Sequence, residues 1–300
     1  MSTKQRLENV PYIPEEWETV TCPFCHHAKY SIYERYGNTW QYTHVKCLQC
    51  GLIYCNPRPK YDASFVHDAY EYYAEEVFKV VSDPQKYYQL EVAHTQYDDC
   101  VAEILLYDTQ RSSILDVGSH TGIFLYSALK HYPKATGIDV SSRMAKFVEE
   151  NLKIKVYLGK FEEVPTDAKF SCINMSHVIE HIPNPKDWLD HSKKLLADGG
   201  ILVISVPNMF SLTNKIKLFL KRIGLRKGRW EPWRTPDHLF EPTVPSMLRF
   251  LDVNGFEVIH YKSYSRKKEV DRSAWGKWMH QKRYWGSNLR FYVRVNQSKS

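Results

Sequence analysis

The sequence lacks any long hydrophobic run. Even the apolar segment 201–206 is interrupted by Ser205, whereas a membrane-spanning helix needs about 20 consecutive apolar residues. The first 18 residues carry four Glu and contain no apolar stretch, so they do not resemble a secretion signal. Internal repeats and low-complexity tracts are also missing. We therefore expect a cytoplasmic protein without a transmembrane segment.

The composition is that of an ordinary globular protein. Of 300 residues, 43% are hydrophobic and 25% are charged, which excludes a wholly disordered chain, a fibrous repeat and a disulfide-rich miniprotein. A domain typically takes about 100 to 200 residues. The length therefore predicts two structural units, one of them large enough to bury a substantial core.

Positive charge is confined to two regions. The formal net charge is +7, but Lys215–Arg229 contains seven basic and no acidic residues, and Lys262–Lys299 contains eleven basic and two acidic residues. The rest of the chain is net negative. Such regional excess suits an anionic substrate, a membrane surface or RNA, and it does not choose among them.

Four of the seven cysteines form two C-x2-C pairs separated by 21 residues: Cys22, Cys25, Cys47 and Cys50. Two such turns can place four thiolates tetrahedrally around Zn²⁺, and the spacing is close to that of a zinc ribbon. The segment 39–46 alternates like a strand, and Gly51 provides the permissive backbone that follows such a turn. Two disulfides are the alternative, which the expected cytosolic location disfavours.

A four-thiolate site has no open coordination position, so we expect the zinc to be structural. Several other candidate ligands are then left without a metal role. We predict surface positions for His26, His27 and His44, and packing roles for Cys55, Cys100 and Cys172.

The remaining chain divides at changes of pattern. Two prolines end the ribbon near Lys60, and the following segment has the apolar spacing of helices. From Ser112 onward, strands and helices alternate, which predicts a parallel sheet covered on both faces. We predict a zinc ribbon over 1–60, a helical cap over 61–110 and an α/β domain over 111–300, with an insertion at 208–241.

The segment ILDVGSHTGIF, residues 114–124, has the pattern of a nucleotide-binding turn. An acidic residue ends the strand, and a glycine-bearing turn then leads into a helix, which lets the backbone approach a ligand. A second strand ends at Asp139, 23 residues after Asp116, where an acid can bond ribose hydroxyls. These features alone also fit a dinucleotide-dependent enzyme.

Asp116, Gly118, His120 and Gly122 resemble the first motif of class I S-adenosylmethionine-dependent methyltransferases, D-x-G-x-G-x-G. The resemblance extends over 174–185, 195–208 and 236–258, and together with the ribbon it indicates the zinc-ribbon-bearing branch of that family. Members of that branch methylate sugars, surface glycans and secondary metabolites. The resemblance implies a doubly wound Rossmann-like α/β sheet with an antiparallel terminal strand.

The resemblance also implies a set of cofactor contacts: Asp116, Gly118, Ser119, His120, Gly122, Asp139, Phe161, Ser176 and His177. Two positions depart from the family pattern. His120 replaces the middle glycine, and Lys160 stands where many members have an acid that contacts the adenine amine. Phe161 is interpreted either as an apolar wall for the adenine or as a core residue.

Methyl transfer to a hydroxyl requires alignment and, optionally, a general base. His181 and His238 are the candidates, because histidine titrates near neutral pH; the alternatives are a loop-capping role for His181 and a role in holding the insertion for His238. The expected acceptor is a sugar-containing small molecule or a lipid-linked glycan intermediate. RNA methylation and a non-catalytic cofactor-binding module are the rival functions.

Two later segments combine apolar and basic residues. In 212–225, apolar residues recur at helical spacing with lysines between them, which indicates either a lid on the domain or a peripheral helix at the inner face of the membrane. The segment 273–287 carries three Trp between two strands predicted to form an antiparallel edge. It is interpreted either as a stacking surface for sugars or bases or as a packed hairpin loop.

Overall fold

The protein is described by a computed structural model. It covers residues 17–36, 42–60, 74, 75, 77–79, 81, 83–94, 96–225, 238–265 and 273–298. The predictions that fall on 61–73, 226–237 and 266–272 lie outside these residues.

The N-terminal module is built from short strands. They are β1 (Trp17–Glu18), β2 (Tyr30–Tyr36), β3 (Tyr42–Cys47), β4 (Ile53–Cys55) and β5 (Arg58–Pro59). β1 pairs with β5, while β2, β3 and β4 form an antiparallel sheet that is extended by β11 (Phe240–Glu241) from the far end of the chain. The ribbon is therefore completed by a strand of the predicted insertion.

The larger unit contains alternating elements. Its strands are β6 (Ile114–Val117), β7 (Ala135–Asp139), β8 (Lys155–Leu158), β9 (Phe170–Ser176), β10 (Leu196–Pro207), β12 (Phe256–Tyr264) and β13 (Asn288–Val295). Its helices are α1 (Pro84–His94), α2 (Tyr97–Ile104), α3 (Ile123–Ala128), α4 (Ser142–Leu152), α5 (Pro185–Leu195), α6 (Leu212–Arg222), α7 (Val244–Val253) and α8 (Ala274–Lys282). Two 3-10 turns lie at Phe161–Glu163 and Ile179–His181.

The main sheet has the strand order β12-β13-β10-β9-β6-β7-β8. The strands from β10 to β8 run parallel, and β13 runs antiparallel to both of its neighbours. This arrangement confirms the predicted Rossmann-like fold with an antiparallel terminal strand. Because strand order reverses between β6 and β9, a crevice forms at their carboxyl ends, where such folds bind ligands.

The hydrophobic core is continuous between the ribbon and the larger unit. Phe24 of the ribbon stacks on Phe250 of α7, with ring centroids 4.0 Å apart, and meets Phe240 of β11 edge to face at 5.1 Å. These rings belong to the same buried cluster as Met175 and Leu202 of the main sheet. Burial of this kind contributes about 25 cal/mol per Å² of apolar surface, so the two units stabilise each other.

One expectation about local structure is wrong. His44 is fully buried instead of lying on the surface, because β3 is a central strand with neighbours on both sides. Burial lowers the pKa of its imidazole to about 3. The segment 273–287 lies between β12 and β13, which pair antiparallel as predicted, and it contains α8, whose N-terminus Ser273 caps by accepting a hydrogen bond from the Gly276 amide.

Other expectations agree with the structure. Cys55, Cys100 and Cys172 are buried, and His26 is exposed. Within the described residues, none of the helices combines the length and the apolar character that crossing a bilayer requires.

Candidate functional site

The turn after β6 has the backbone of a ligand-binding loop. Gly118, His120 and Gly122 have φ of 71°, 49° and 75°, the left-handed region that glycine adopts at little cost and other residues rarely. His120 thus stands at the middle-glycine position with a φ that glycine adopts more readily than histidine. A Cβ at Gly118 would lie 2.9 Å from Val178, so this turn packs directly against the residue that precedes the turn Ile179–His181.

Asp139 ties this turn to the next strand. Its Oδ2 accepts a hydrogen bond from the His120 amide at 2.7 Å, and its Oδ1 accepts one from the Ser141 amide at 2.9 Å. A carboxylate has about four acceptor positions, so capacity remains for ribose hydroxyls. The His120 ring is surrounded by protein, and burial lowers its pKa to about 4.

Asp116 lies beneath the turn and is almost completely buried. Burial raises the pKa of its carboxyl to about 8, although the Asn174 amide donates a hydrogen bond to Oδ1 at 2.7 Å. Asn174 lies beside Asp116 in the parallel register of β6 and β9. Sequence reasoning missed Asn174, and its only signal was an amide inside an otherwise apolar strand.

The residues present fit S-adenosylmethionine. Ser119 Oγ and Asn174 Oδ1 are buried and have no hydrogen-bond partner among the described residues, so a polar ligand would satisfy both. Gly118 stays exposed at the opening of the turn. Ser176 and His177 follow at the end of β9, where the His177 amide donates to the Ser205 carbonyl at 2.8 Å.

The adenine side of the site is formed differently from the family pattern. Phe161 is buried and contacts Trp188 and His191, each with ring centroids 5.0 Å away, which agrees with its interpretation as a core residue; an adenine contact stays a prediction. Near Lys160, Glu163 accepts a hydrogen bond from the Lys160 amide through Oε2 at 3.0 Å. This bond caps the N-terminus of the turn Phe161–Glu163.

The helical cap contacts the same turn, which sequence reasoning did not anticipate. The Tyr88 hydroxyl of α1 donates to the Thr121 carbonyl at 2.9 Å, and the Tyr87 and Thr121 hydroxyls are 3.0 Å apart. Thr121 in turn lies 3.2 Å from His120 Nδ1. α1 therefore fixes the turn from the side opposite to Asp139.

The structure brings both predicted catalytic histidines together. The rings of His181 and His238 meet edge to face with centroids 4.8 Å apart. They are held by backbone pairing, because the Leu239 amide donates to the Glu180 carbonyl at 2.9 Å and the Cys55 amide donates to the Leu239 carbonyl at 3.0 Å. His238 thus reaches the donor edge through the strand that completes the ribbon.

Two buried glutamates accompany these histidines, and neither belongs to the predicted set. His238 Nδ1 donates to Glu241 Oε1 at 3.0 Å, and His177 Nδ1 lies 3.5 Å from Glu180 Oε1. Burial would raise the pKa of Glu180, but His177, His181 and His238 together hold it at about 2. The carboxylate is therefore ionised, and an ionised buried carboxylate requires positive partners. The three-residue spacing from His238 to Glu241 was the available sequence signal.

The four paired cysteines converge at one point. Cys22 and Cys50 Sγ are 3.5 Å apart, as are Cys25 and Cys47 Sγ, and all four sulfurs lie within 4.8 Å of one another. These separations exceed the roughly 2.05 Å of a disulfide and approach the spacing set by about 2.3 Å Zn–S bonds in a tetrahedral site.

The two turns that carry these cysteines have matching backbones. The His26 amide donates to the Cys22 carbonyl at 2.8 Å, and the Gly51 amide donates to the Cys47 carbonyl at 3.1 Å. His26 and Gly51 have φ of 55° and 74°. His26 thus has the same left-handed conformation in its turn as Gly51 has in the other.

Comparison with known proteins agrees with this geometry. A family model described as a methyltransferase domain matches residues 88–261. The chain belongs to this methyltransferase family. It is a class I S-adenosylmethionine-dependent methyltransferase, and the match contains the turn after β6, the strand ends of the crevice and the histidine cluster.

Curated relatives each match about half of the methyltransferase. A ubiquinone biosynthesis O-methyltransferase of Coxiella burnetii is 27% identical over 54% of this chain and 72% of its own length. A protein of the same name from Psychrobacter cryohalolentis is 30% identical over 51% of this chain and 64% of its own length. The methyltransferase therefore spans about two thirds of the length of such relatives.

Among solved structures, the magnesium protoporphyrin IX methyltransferase of Synechocystis PCC 6803 with bound S-adenosylhomocysteine is similar in fold. It superposes with a TM-score of 0.52 at 16% identity, covering 79% of this chain and all of that chain. This similarity supports the architecture of the sheet.

Proposed function

We propose that the methyltransferase methylates a hydroxyl group of a sugar-containing small molecule or a lipid-linked glycan intermediate. The observation that supports this reaction is the pairing of His181 with the buried His238–Glu241 couple beside the cofactor turn. Hydroxyl acceptors need a proton acceptor near neutral pH, which an amine acceptor does not need to the same extent. Curated relatives named as O-methyltransferases support the same atom type.

The cofactor is held by the groups around the crevice. Asp139 binds the ribose hydroxyls, while Ser119 Oγ and Asn174 Oδ1 bond polar groups of the ligand. Asp116, Gly118, His120, Gly122, Phe161, Ser176 and His177 complete the cofactor contacts. When bound, S-adenosylmethionine would supply the methyl group for transfer to the acceptor oxygen. Its sulfur would keep the electron pair of the carbon–sulfur bond that breaks.

The histidine cluster activates the acceptor. The hydroxyl proton passes to a nitrogen of His181 or His238 as the oxygen is alkylated, so the products are a methyl ether, S-adenosylhomocysteine and one extra proton on the protein. Glu241 fixes the tautomer of His238 by accepting from Nδ1, which leaves Nε2 as its proton acceptor. Alignment of the two reactants contributes about 7 to 11 kcal/mol to lowering the barrier.

Cys22, Cys25, Cys47 and Cys50 bind one structural Zn²⁺ in this proposal, as in the zinc-ribbon branch that the sequence resembles. The spacing of the sulfurs and the matched turns support it. Fewer than about 60 residues bury little surface, so the metal supplies stability that the ribbon cannot obtain from packing alone.

The acceptor is presented at a membrane surface if it is lipid-linked. α6 carries exposed Ile216 and Phe219 beside Lys215 and Lys217, with no acidic residue in the helix. This face supports peripheral contact through 212–225 with anionic lipid. The exposure of Ile216 and Phe219 supports this peripheral interpretation over that of a lid packed on the domain.

The test is methyl transfer from labelled S-adenosylmethionine to a panel of nucleotide-linked sugars, lipid-linked glycans and structured RNA. We expect product from a hydroxylated glycan acceptor. His181→Ala or His238→Ala should lower kcat by about 10²- to 10⁴-fold, the usual contribution of a general base, while calorimetry shows unchanged cofactor affinity. The exposed His131 provides a matched control, since His131→Ala should leave both quantities as in the parent.

Two results contradict this proposal. If RNA is the only acceptor methylated, the acceptor class is wrong. If both cluster variants keep more than about a third of the parent kcat, the histidines are structural and catalysis relies on alignment alone.

A further inference from the structure

Glu180 has an unusual environment outside the cofactor contacts. Its side chain is fully buried, and neither carboxylate oxygen accepts a hydrogen bond from any described residue. The closest cationic candidate is His177 Nδ1 at 3.5 Å, beyond good hydrogen-bonding distance. The groups that face this carboxylate are imidazoles, those of His177, His181 and His238.

The neighbours of Glu180 are metal-ligating groups. One ligand atom each from Glu180, His181 and His238 lies within 4.8 Å of the others. Glu180 and His238 are buried, and His181 is half-buried, so the group is open at one corner. Bonds of about 2.0 to 2.2 Å to a common ion require only small side-chain rotations from this arrangement.

We propose that Glu180, His181 and His238 bind a first-row transition-metal dication such as Mn²⁺, Fe²⁺ or Zn²⁺. Two imidazoles and one carboxylate form the ligand set of open, reactive metal sites, whereas Mg²⁺ and Ca²⁺ prefer oxygen ligands. Three protein ligands leave coordination positions for an acceptor oxygen. This site is separate from the four cysteines, whose closed set leaves none.

Glu241 has the position of a supporting residue for this metal. Metal-binding histidines usually donate their second ring N–H to a carboxylate, which fixes the ring and raises ligand basicity. His238 Nδ1 donates to Glu241 Oε1 in this way, so Nε2 is the nitrogen directed toward the ion. Sequence neighbours thus supply both the ligand and its support.

The catalytic role of the ion rests on the proposed function, but its binding does not. A cation in this position holds the acceptor hydroxyl and lowers its pKa, so that the proton leaves to His177 or to water before the oxygen is methylated. His181 and His238 then serve as ligands, and the base role described above belongs to the metal-free protein.

Manganese titration of the full-length protein with its cysteine site loaded with zinc tests the inference. Mn²⁺ is a poor competitor for thiolates, so electron paramagnetic resonance reports only the second site. We expect about one equivalent of bound Mn²⁺ in the parent. Glu180→Gln and His238→Asn should weaken Mn²⁺ binding at least about tenfold. This is the lower end of the loss of metal affinity expected when a ligand or a residue that supports a ligand is removed. His131→Asn on the surface should bind as the parent does.

Anomalous diffraction at the manganese edge keeps the test independent of the stability of the variants. Density between Glu180, His181 and His238 supports the inference. Absence of Mn²⁺ binding, or binding unchanged in folded Glu180→Gln protein, overturns it. If Mn²⁺ binds here but no hydroxyl acceptor is methylated, the proposed function fails and the metal site stands; methylation without Mn²⁺ binding gives the reverse result.

Discussion

Asp116, under the cofactor turn, has a carboxyl whose raised pKa makes the stability of the ligand-free protein depend on pH. Its carboxyl is buried beside Asn174 and close to a second acid, Asp139, and these surroundings raise its pKa to about 8. In the unfolded chain the same group titrates near 3.9. Between those two values the folded protein binds more protons than the unfolded chain, so the stability of the ligand-free protein falls as pH rises.

Replacement of Asp116 by Asn isolates this effect. Asn keeps an acceptor for the Asn174 amide but carries no proton that titrates, so we expect a flatter stability curve between pH 6.5 and 8 than in the parent. Urea unfolding at the two pH values measures the difference. The buried His44 and His120, whose pKa values burial lowers to about 3 and 4, are present in both proteins, so their contribution to the pH dependence cancels in the comparison. Equal pH dependence in Asp116→Asn and parent protein would show that Asp116 is already ionised in the folded state.

At the scale of elements, β11 connects the ribbon to the histidine cluster. It pairs with β4 through Phe240 opposite Tyr54 and Glu241 opposite Ile53. The residue before it, Leu239, bonds to both Cys55 and Glu180 through its backbone. A disturbance of the cysteine cluster is therefore expected to reach His238 through one strand pair.

Cys47→Ser should lose about one equivalent of zinc and lower the thermal midpoint. Because β4 loosens, hydrogen exchange at the Leu239 amide should accelerate by about tenfold or more, the change that corresponds to about 1.4 kcal/mol of local stability. Metal analysis and amide exchange followed by mass spectrometry or NMR measure both effects.

Cys100→Ala is the matched control, since Cys100 is buried in α2 and belongs to no cysteine pair. It should lower the midpoint without changing zinc content or selectively accelerating exchange at Leu239. Unchanged Leu239 exchange in zinc-depleted Cys47→Ser protein would mean that the ribbon and the cluster are uncoupled.

For the whole molecule, apolar and basic groups collect on one exposed surface formed by α6 and α8. Trp285 joins the two helices, because its carbonyl accepts from the Leu212 amide at 3.0 Å and its ring lies 6.1 Å from that of Trp278. Phe219 is 60% exposed and Trp275 is 57% exposed. Lys215 and Arg283 lie over the Trp285 ring, and exposed rings on a surface that also carries cations favour anionic lipid.

Phe219→Glu should reduce binding to vesicles that contain anionic lipid by about tenfold or more. The substitution removes a ring whose burial in the bilayer is worth about 1.5 to 3 kcal/mol, and it adds a charge that anionic lipid repels. Sedimentation with anionic and neutral vesicles measures this. Leu106→Glu is the control, since Leu106 is 71% exposed in the turn after α2. Equal binding of parent protein to neutral and anionic vesicles, or equal losses in both variants, would contradict the assignment of this surface.

The sequence by itself determined the local elements and the two cysteine turns. Strand and helix periods, the glycine positions and the C-x2-C spacing are properties of neighbouring residues. For that reason, strands and helices alternate from β6 onward as predicted, and the two C-x2-C pairs lie on matching turns. The same local patterns supported assignment to the methyltransferase family.

Only the tertiary structure decided which distant residues share a site. His181 and His238 are 57 positions apart, and their contact depends on β11 leaving the larger unit to pair with β4 of the ribbon. Glu180, Glu241 and Asn174 acquire their roles from burial, which a single sequence does not display for isolated polar residues. His44 was misassigned for the same reason: alternation along a strand shows which residues share a face, but packing decides whether that face meets solvent.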